Sequence, residues 1–362
     1  MLAAMTSALL TSGLFGQAYG DAEIARAYSA LSVLGRMLDV ERAWTAALTA
    51  TDAVAAEDGA AARAALARFD PVRFEPDTDR DGVPVPSLVA ALRAGLAPGP
   101  AAAIHSGLTS QDVIDTALVL VSLEVLDLLA TRTGRVLAAL ADLTRRHGDA
   151  ALMARTRMQA ARPATAALRL GAWERGLRAQ HDRRAAVRSE LAQVQIGGAV
   201  GLRDAPEGRA EAAAAHAAAA LGLRAGPVWH TDRAPFVAFG HWLTLLCGAL
   251  GKLGQDVALM AQQGVDEIAL AGGGGSSAMP HKRNPVRAEA LVALARHVAG
   301  LQGTLAQAML HEQERSGAAW ALEWLTLPVM AESTGAALTH AEALLGQITR
   351  VGRSGERDHR SG

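Results

Sequence analysis

Between Gly272 and Pro285 the chain reads Gly272-Gly273-Gly274-Gly275-Ser276-Ser277-Ala278-Met279-Pro280-His281-Lys282-Arg283-Asn284-Pro285. Four consecutive glycines make a backbone free to move and to take positive φ. Two hydroxyls, a lysine and an asparagine follow, and Pro285 suits the first turn of a helix. Loop, hydroxyl and cation thus meet at a helix N-terminus, where unbonded N–H groups favour anions. A serine hydroxyl is a poor base at neutral pH, but a nearby ammonium and amide donors would stabilise its alkoxide. By local rules alone the same string also describes a flexible glycine loop ahead of a capped helix.

A second string runs His105-Ser106-Gly107-Leu108-Thr109-Ser110-Gln111-Asp112-Val113-Ile114-Asp115-Thr116-Ala117. Thr109 or Ser110 can cap the helix that starts there. Capping accounts for one hydroxyl but not for His105 or the Gln111-Asp112 pair. A third string, from Arg155 through Arg157 and Gln159 to Arg162, Pro163 and Thr165, gathers three arginines. An arginine can clamp an anion but cannot exchange protons at neutral pH. Arg157 also reads as a solvated cation at a helix end. Three shorter stretches stand out: the glycine-rich turn Gln195-Ile196-Gly197-Gly198-Ala199-Val200-Gly201, the run Trp229-His230-Thr231-Asp232-Arg233, and His311-Glu312-Gln313-Glu314-Arg315 leading to Trp320, Glu323 and Trp324. Bundle packing is a sufficient reason for the tryptophans.

Together these strings resemble the fumarase/aspartase superfamily. The glycine loop matches its pattern G-S-S-x-M-P-x-K-x-N-P at every fixed position, a far more specific signal than a lone glycine motif. The second and third strings are similar to H-x-G-x-T-S-x-D-V-x-D-T-A and R-T-x-x-Q-x-x-x-P-x-T, shared by adenylosuccinate lyases and 3-carboxy-cis,cis-muconate cycloisomerases. The cycloisomerase family is the closer of the two. Adenylosuccinate lyases carry a proton-transferring His where this chain has Arg157, and a phosphate-binding Arg where it has Trp324. Cycloisomerases also lack that His but usually hold an uncharged residue there. Their W-H-T-x-R run normally has a second arginine at the position of Pro235.

The resemblance implies an all-α long-helix bundle that lactonises a tricarboxylate through an aci-carboxylate intermediate. It makes Ser276 the catalytic serine, with Lys282 and His105 as further catalytic candidates. Thr109, Ser110, Gln159 and Asn284 would bind substrate, and Arg157, Arg233 and Arg315 are candidate carboxylate clamps with the fork geometry such a substrate needs. No metal or organic cofactor is implied. The superfamily further implies a homotetramer in which three subunits share each site. Two alternatives remain open at this level: an adenylosuccinate-type or other C–N/C–O lyase, and a non-catalytic helical homologue.

The elements that must position these residues follow from composition. The chain has 362 residues, half of them apolar and only 4% aromatic, so its core is built from Ala, Leu and Val, and Ala-rich sequence favours helix. Length suggests two domains: a helical N-terminal domain over 1–100, ending at the break Ala97-Pro98-Gly99-Pro100, and a bundle over 101–350 that forms the oligomer core. Apolar spacing predicts long helices over 112–147, 163–193, 234–265, 285–311 and 318–349 with no alternating strand pattern. Residues 351–362 read as a disordered tail, with the superfamily's small C-terminal domain absent. Lys and Arg number 35 against 36 Asp and Glu, a balance that gives no sign of nucleic-acid or membrane partners. No Lys or Arg precedes Arg26, so the start lacks a signal-peptide n-region. The apolar run between Arg233 and Lys252 reads as a buried bundle helix rather than a span. Lone Cys247 fits a reducing compartment, and a cytoplasmic location is expected.

Overall fold

The computed structural model describes residues 14–275, 279 and 282–352. The short helices α1 (Gly16–Tyr19) and α2 (Ala22–Ala27) lead to α3 (Ala30–Ala50) and α4 (Ala56–Arg68). The proline-containing stretch after them folds into α5 (Thr78–Asp81), α6 (Val85–Arg93) and α7 (Pro98–Ala103). The body of the molecule is five long helices: α8 (Ser110–His147), α9 (Ala166–Leu191), α11 (Ala234–Met260), α12 (Val286–Ala306) and α13 (Ala318–Gln347). The shorter α10 (Ala210–Ala220) packs on α3.

The expected all-α bundle is therefore present, with small strand additions. The predicted start of one helix at Pro163 is corrected. Residues 151–165 form a hairpin of β1 (Ala151–Thr156) and β2 (Gln159–Thr165), in which Pro163 lies opposite Met153. Arg157 and Met158 make its two-residue turn, both in the left-handed region at φ 48° and 69°. That conformation matches strand twist, and a proline is tolerated on a two-stranded edge. Helix α9 starts only after it, at Ala166. A second small sheet pairs β3 (Ile268–Leu270) with β4 (Ile348–Val351), so Val351 closes a strand rather than opening a tail.

Helix directions are fixed by contacts along α8. Near its start, Thr116 Oγ1 exchanges hydrogen bonds with the Gln195 backbone just past the end of α9. Asp115 meets Arg233, ahead of α11, and Trp320, at the start of α13. At the other end Ala167 N–H donates to Gly148 O, and Ala271 N–H to Gln347 O. Helices α8, α11 and α13 thus run one way, α9 and α12 the other. We call the N-terminal end of α8 the head and its C-terminal end the tail. The 38 residues of α8 separate them by about 57 Å at 1.5 Å per residue.

Helix α11 is long and apolar enough to cross a membrane, yet it is a bundle helix here. Phe236, Phe239, Trp242, Leu243, Leu246 and Leu250 are all buried, and Trp242 Nε1 donates to Gln180 O. Gly251 and Gly254 let α12 approach closely: a Cβ would lie 2.5 Å from Ala295 Cβ at the first and 2.7 Å from Ala288 O at the second. Burial pushes the Cys247 thiol up to about 12, so it is an inert core group.

Candidate active site

At the head, Thr109 is the N-cap of α8 and Ser110 its first helical residue. Asp112, one turn on and fully buried, turns back to organise the loops around that N-terminus. Its Oδ2 accepts from the N–H groups of Thr109 (3.0 Å) and Gly198 (2.9 Å). Its Oδ1 accepts from Gly197 N–H and lies 2.8 Å from His230 Nε2. The glycines are needed in this turn. Gly198 has φ 72°, and a Cβ on Gly197 would collide with Val228 and His230, 2.5 and 2.7 Å away. Arg315 ties the same turn to the cap, donating from Nη1 to Thr109 Oγ1 at 2.8 Å and from Nη2 to Ala199 O at 2.6 Å.

Arg233 has a different place from the one expected of a substrate clamp. It is 1% exposed and spent on protein carboxylates. Nε and Nη2 grip Glu323 at 2.7 and 2.6 Å, while Nη1 and Nη2 reach Asp115 at 2.7 and 3.1 Å. Trp229 and Phe236 stack on the guanidinium, and Asp115 also accepts from Gln111 Nε2 and Trp320 Nε1. Burial opposes the charge on Arg233, but Asp115 and Glu323 outweigh it and hold its pKa above the usual value. This network locks α8, α11 and α13 together under the head; it leaves no fork free for a ligand.

His105 precedes the cap in a strained conformation, φ 58°, with Nδ1 2.5 Å from Glu41 Oε1. The segment around it is pinned by Trp44 Nε1 to Ser106 O and Arg93 Nη2 to Ile104 O, both 2.7 Å. Trp324 packs edge-on against Trp320 at 4.7 Å, and the two rings form an aromatic wall. His311 lies near the Arg233 network with both ring nitrogens buried and unpartnered among the described residues; burial first, then Arg233, lowers its pKa.

The other candidates sit at the tail. Arg157 and Gln159 are exposed on the hairpin turn, which is anchored by Arg155 and Arg169 to buried Glu267. The glycine loop leaves the bundle between β3 and α12. Its neck is closed by reciprocal backbone hydrogen bonds between Gly274 and Asn284, 3.0 and 2.9 Å. Lys282 is exposed beyond that neck. Ser276 lies outside the described residues. Among the described residues no group of three His, Cys, Asp or Glu side chains converges as metal ligands would.

The candidate residues thus fall at two ends of a five-helix body, the capped N-terminus of α8 at the head and the glycine-lysine loop at the tail. Residues 40–300 match a family model described as a lyase. The chain belongs to this lyase family. The lyase is 38% identical over 343 residues to a 3-carboxy-cis,cis-muconate cycloisomerase of Pseudomonas aeruginosa, covering 92% of this chain and 74% of the relative. It is 34% identical to a nitrosuccinate lyase of Streptomyces davaonensis, across 94% and 75% of the two chains. The crystal structure of the 3-carboxy-cis,cis-muconate lactonizing enzyme from Pseudomonas putida superposes with a TM-score of 0.86 at 34% identity, covering 92% of this chain and 77% of that one. The fold is thus the fumarase/aspartase-type bundle expected from the loop motif.

Sequence reasoning missed Asp112, Asp115, Glu323 and Glu41 as organisers of the lyase head. The signal was present. Asp112 and Asp115 are one turn apart among the buried residues Val113, Ile114 and Ala117 at the start of α8, and Glu41 interrupts the buried stripe of Leu38, Trp44 and Leu48. A carboxylate in such a stripe requires a partner.

Proposed function

We propose that the protein is a 3-carboxy-cis,cis-muconate cycloisomerase that closes its substrate to a carboxymuconolactone. What supports this most is the chain-long likeness to the Pseudomonas aeruginosa cycloisomerase, combined with the aromatic wall of Trp320 and Trp324 where a nucleotide lyase needs a cation. One substrate carboxylate attacks the conjugated diene and a C–O bond forms. The electron pair moves onto the neighbouring carboxyl-bearing carbon, giving an aci-carboxylate, and a proton delivered to that carbon completes the isomerisation. The developing negative charge needs preorganised donors. The N-terminus of α8 supplies the hydroxyl groups of Thr109 and Ser110 and the positive end of the helix, and Lys282 with Asn284 supplies charge and hydrogen bonds from the loop. Ser276, with His105, is assigned to proton transfer, and Arg157 and Gln159 to an outer substrate carboxylate.

Head and tail are too far apart to meet on one small molecule. The site is therefore completed between copies, head from one and loop and hairpin from others, in a homotetramer. A second reading, elimination of a nitrogen leaving group from a succinate-type substrate, is favoured by the 34% identity to nitrosuccinate lyase. The test is a spectrophotometric assay following loss of the diene of 3-carboxy-cis,cis-muconate, with Ser276→Ala alongside. Turnover abolished by the substitution in an intact oligomer is expected. No turnover by a well-folded tetramer overturns the cycloisomerase reading and moves the assay to nitrosuccinate.

A further inference from the structure

We infer that Glu41 is the positioning residue of the head imidazole: its buried carboxylate holds Nδ1–H of His105 and so presents Nε2 as the proton-transfer atom beside the N-terminus of α8. The assignment rests on the reading above, because it gives a partner to a histidine placed at the substrate.

The geometry singles out this pair. Carbon protonation needs a group that can give and take a proton, and Arg157 cannot. His230 is 3% exposed, with Nε2 on Asp112 and Nδ1 sealed under the turn at Gly201; Asp112 is itself consumed by three backbone N–H groups. Both ring nitrogens of His311 are buried. His105 keeps 14% side-chain exposure, and its Nε2 makes no hydrogen bond among the described residues. The other charged groups around it are engaged elsewhere: Arg93 on Ile104 O, Arg315 on Thr109 and Ala199.

Glu41 is costly for the fold alone. It is 0% exposed on α3, and its Oε2 has no partner among the described residues. A half-satisfied buried carboxylate destabilises, and an apolar side chain on that stripe would pack without the penalty. Residues that break the local rule in this way tend to mark functional sites. The chemistry gives a reason for its presence. An imidazole free in water prefers the Nε2–H tautomer, whereas an ionised carboxylate at 2.5 Å from Nδ1 selects Nδ1–H. Nε2 is then a lone pair that can accept a proton and return it, with Glu41 steadying the cation in between. The pinned φ of 58° fixes where that lone pair lies.

Glu41→Leu, His105→Gln and the double variant test this, with Glu41→Gln as the conservative form. In the diene assay Glu41→Leu is expected to lower kcat about 10–100-fold with KM within about twofold. Its Tm should be unchanged or raised, because a buried charge is gone. The double variant should be no slower than His105→Gln, since Glu41 acts only through His105. Glu41→Gln keeps an acceptor for the same N–H but cannot steady the imidazolium, so its kcat should lie between those of wild type and Glu41→Leu. In 15N-histidine-labelled protein, His105 should show the Nδ1–H tautomer and lose it in Glu41→Leu. Additive losses, or a lowered Tm with an unchanged tautomer, make Glu41 merely structural and overturn the inference. A fully active His105→Gln overturns both the inference and the role of His105. If the wild type does not turn over this substrate, the reading fails, and the tautomer comparison alone decides the role of Glu41.

Discussion

Arg233 and Glu323 are joined by two parallel hydrogen bonds inside the bundle, Nε to Oε1 at 2.7 Å and Nη2 to Oε2 at 2.6 Å, with neither side chain exposed. Asp115 shares the same guanidinium, so one cation compensates two buried carboxylates. Replacing Arg233 by Met leaves both without it. The expected cost is about 3–5 kcal/mol, the usual result of breaking a buried pair from one side. Urea unfolding of Arg233→Met against wild type measures it. A loss below about 1 kcal/mol, the scale of an exposed ion pair, would mean that the cluster is hydrated and that Arg233 is available to substrate after all.

The surplus carboxylate gives the fold a pH dependence. Burial pushes Glu323 from its ordinary 4.5 up to about 7, against the pull of Arg233 and with Asp115 adding to the rise. The folded state therefore holds a proton more tightly than the unfolded chain over that interval. By linkage this contribution is fully present below 4.5 and is lost as pH rises through about 7. Unfolding free energy should decline across the window, and Glu323→Gln, which cannot ionise, should flatten that part of the profile. A wild-type profile that rises there, or one that Glu323→Gln leaves unaltered, would show that the Arg233 pairing dominates.

These two residues also show what the sequence made legible. The five helices were readable because Ala and Leu recur at helical spacing over long stretches, and the family was readable in the glycine loop. The hairpin was not, because its turn uses Arg157 and Met158 in left-handed conformations that their side chains disfavour; no Gly or Asn advertises it, and Pro163 suggested a helix start instead. Arg233 was legible as an important cation but not as a satisfied one. Spacing along the chain cannot reveal that Asp115, 118 positions away, and Glu323, 90 positions away, converge on it. Their convergence depends on helix directions that only the folded bundle sets.

The neck of the glycine loop offers a test separable from stability. A Cβ on Gly274 would lie 2.5 Å from Val286 Cγ2, beside the reciprocal Gly274–Asn284 hydrogen bonds. Gly274→Ala should therefore part the neck and misplace Lys282. A shift of about 1 Å is enough to cost roughly 100-fold in rate, while the bundle core is untouched. We expect kcat/KM to fall by about that order with Tm within about 3 °C. Val286→Ala in the same chain removes the clash and should restore most of the loss. Failure of the double variant to recover would show that the neck glycine matters for motion rather than for space.

The proposed division of the site between head and tail predicts complementation. Thr109→Val damages the head, while Lys282→Met damages the loop some 57 Å away along α8 at 1.5 Å per residue. Each variant alone should be nearly inactive. Mixed after gentle dissociation and reassembly, they should form tetramers in which some sites draw an intact head from one copy and an intact loop from another. With random equal mixing and one head and one loop per site from different copies, about a quarter of sites carry neither change. Activity should return toward about that fraction of wild type, while each variant reassembled alone stays inactive. Sites built within one chain would give no recovery, since every chain in the mixture carries a lesion. Recovery near a quarter therefore separates a shared site from a self-contained one, and it does so without knowing which copy supplies which element.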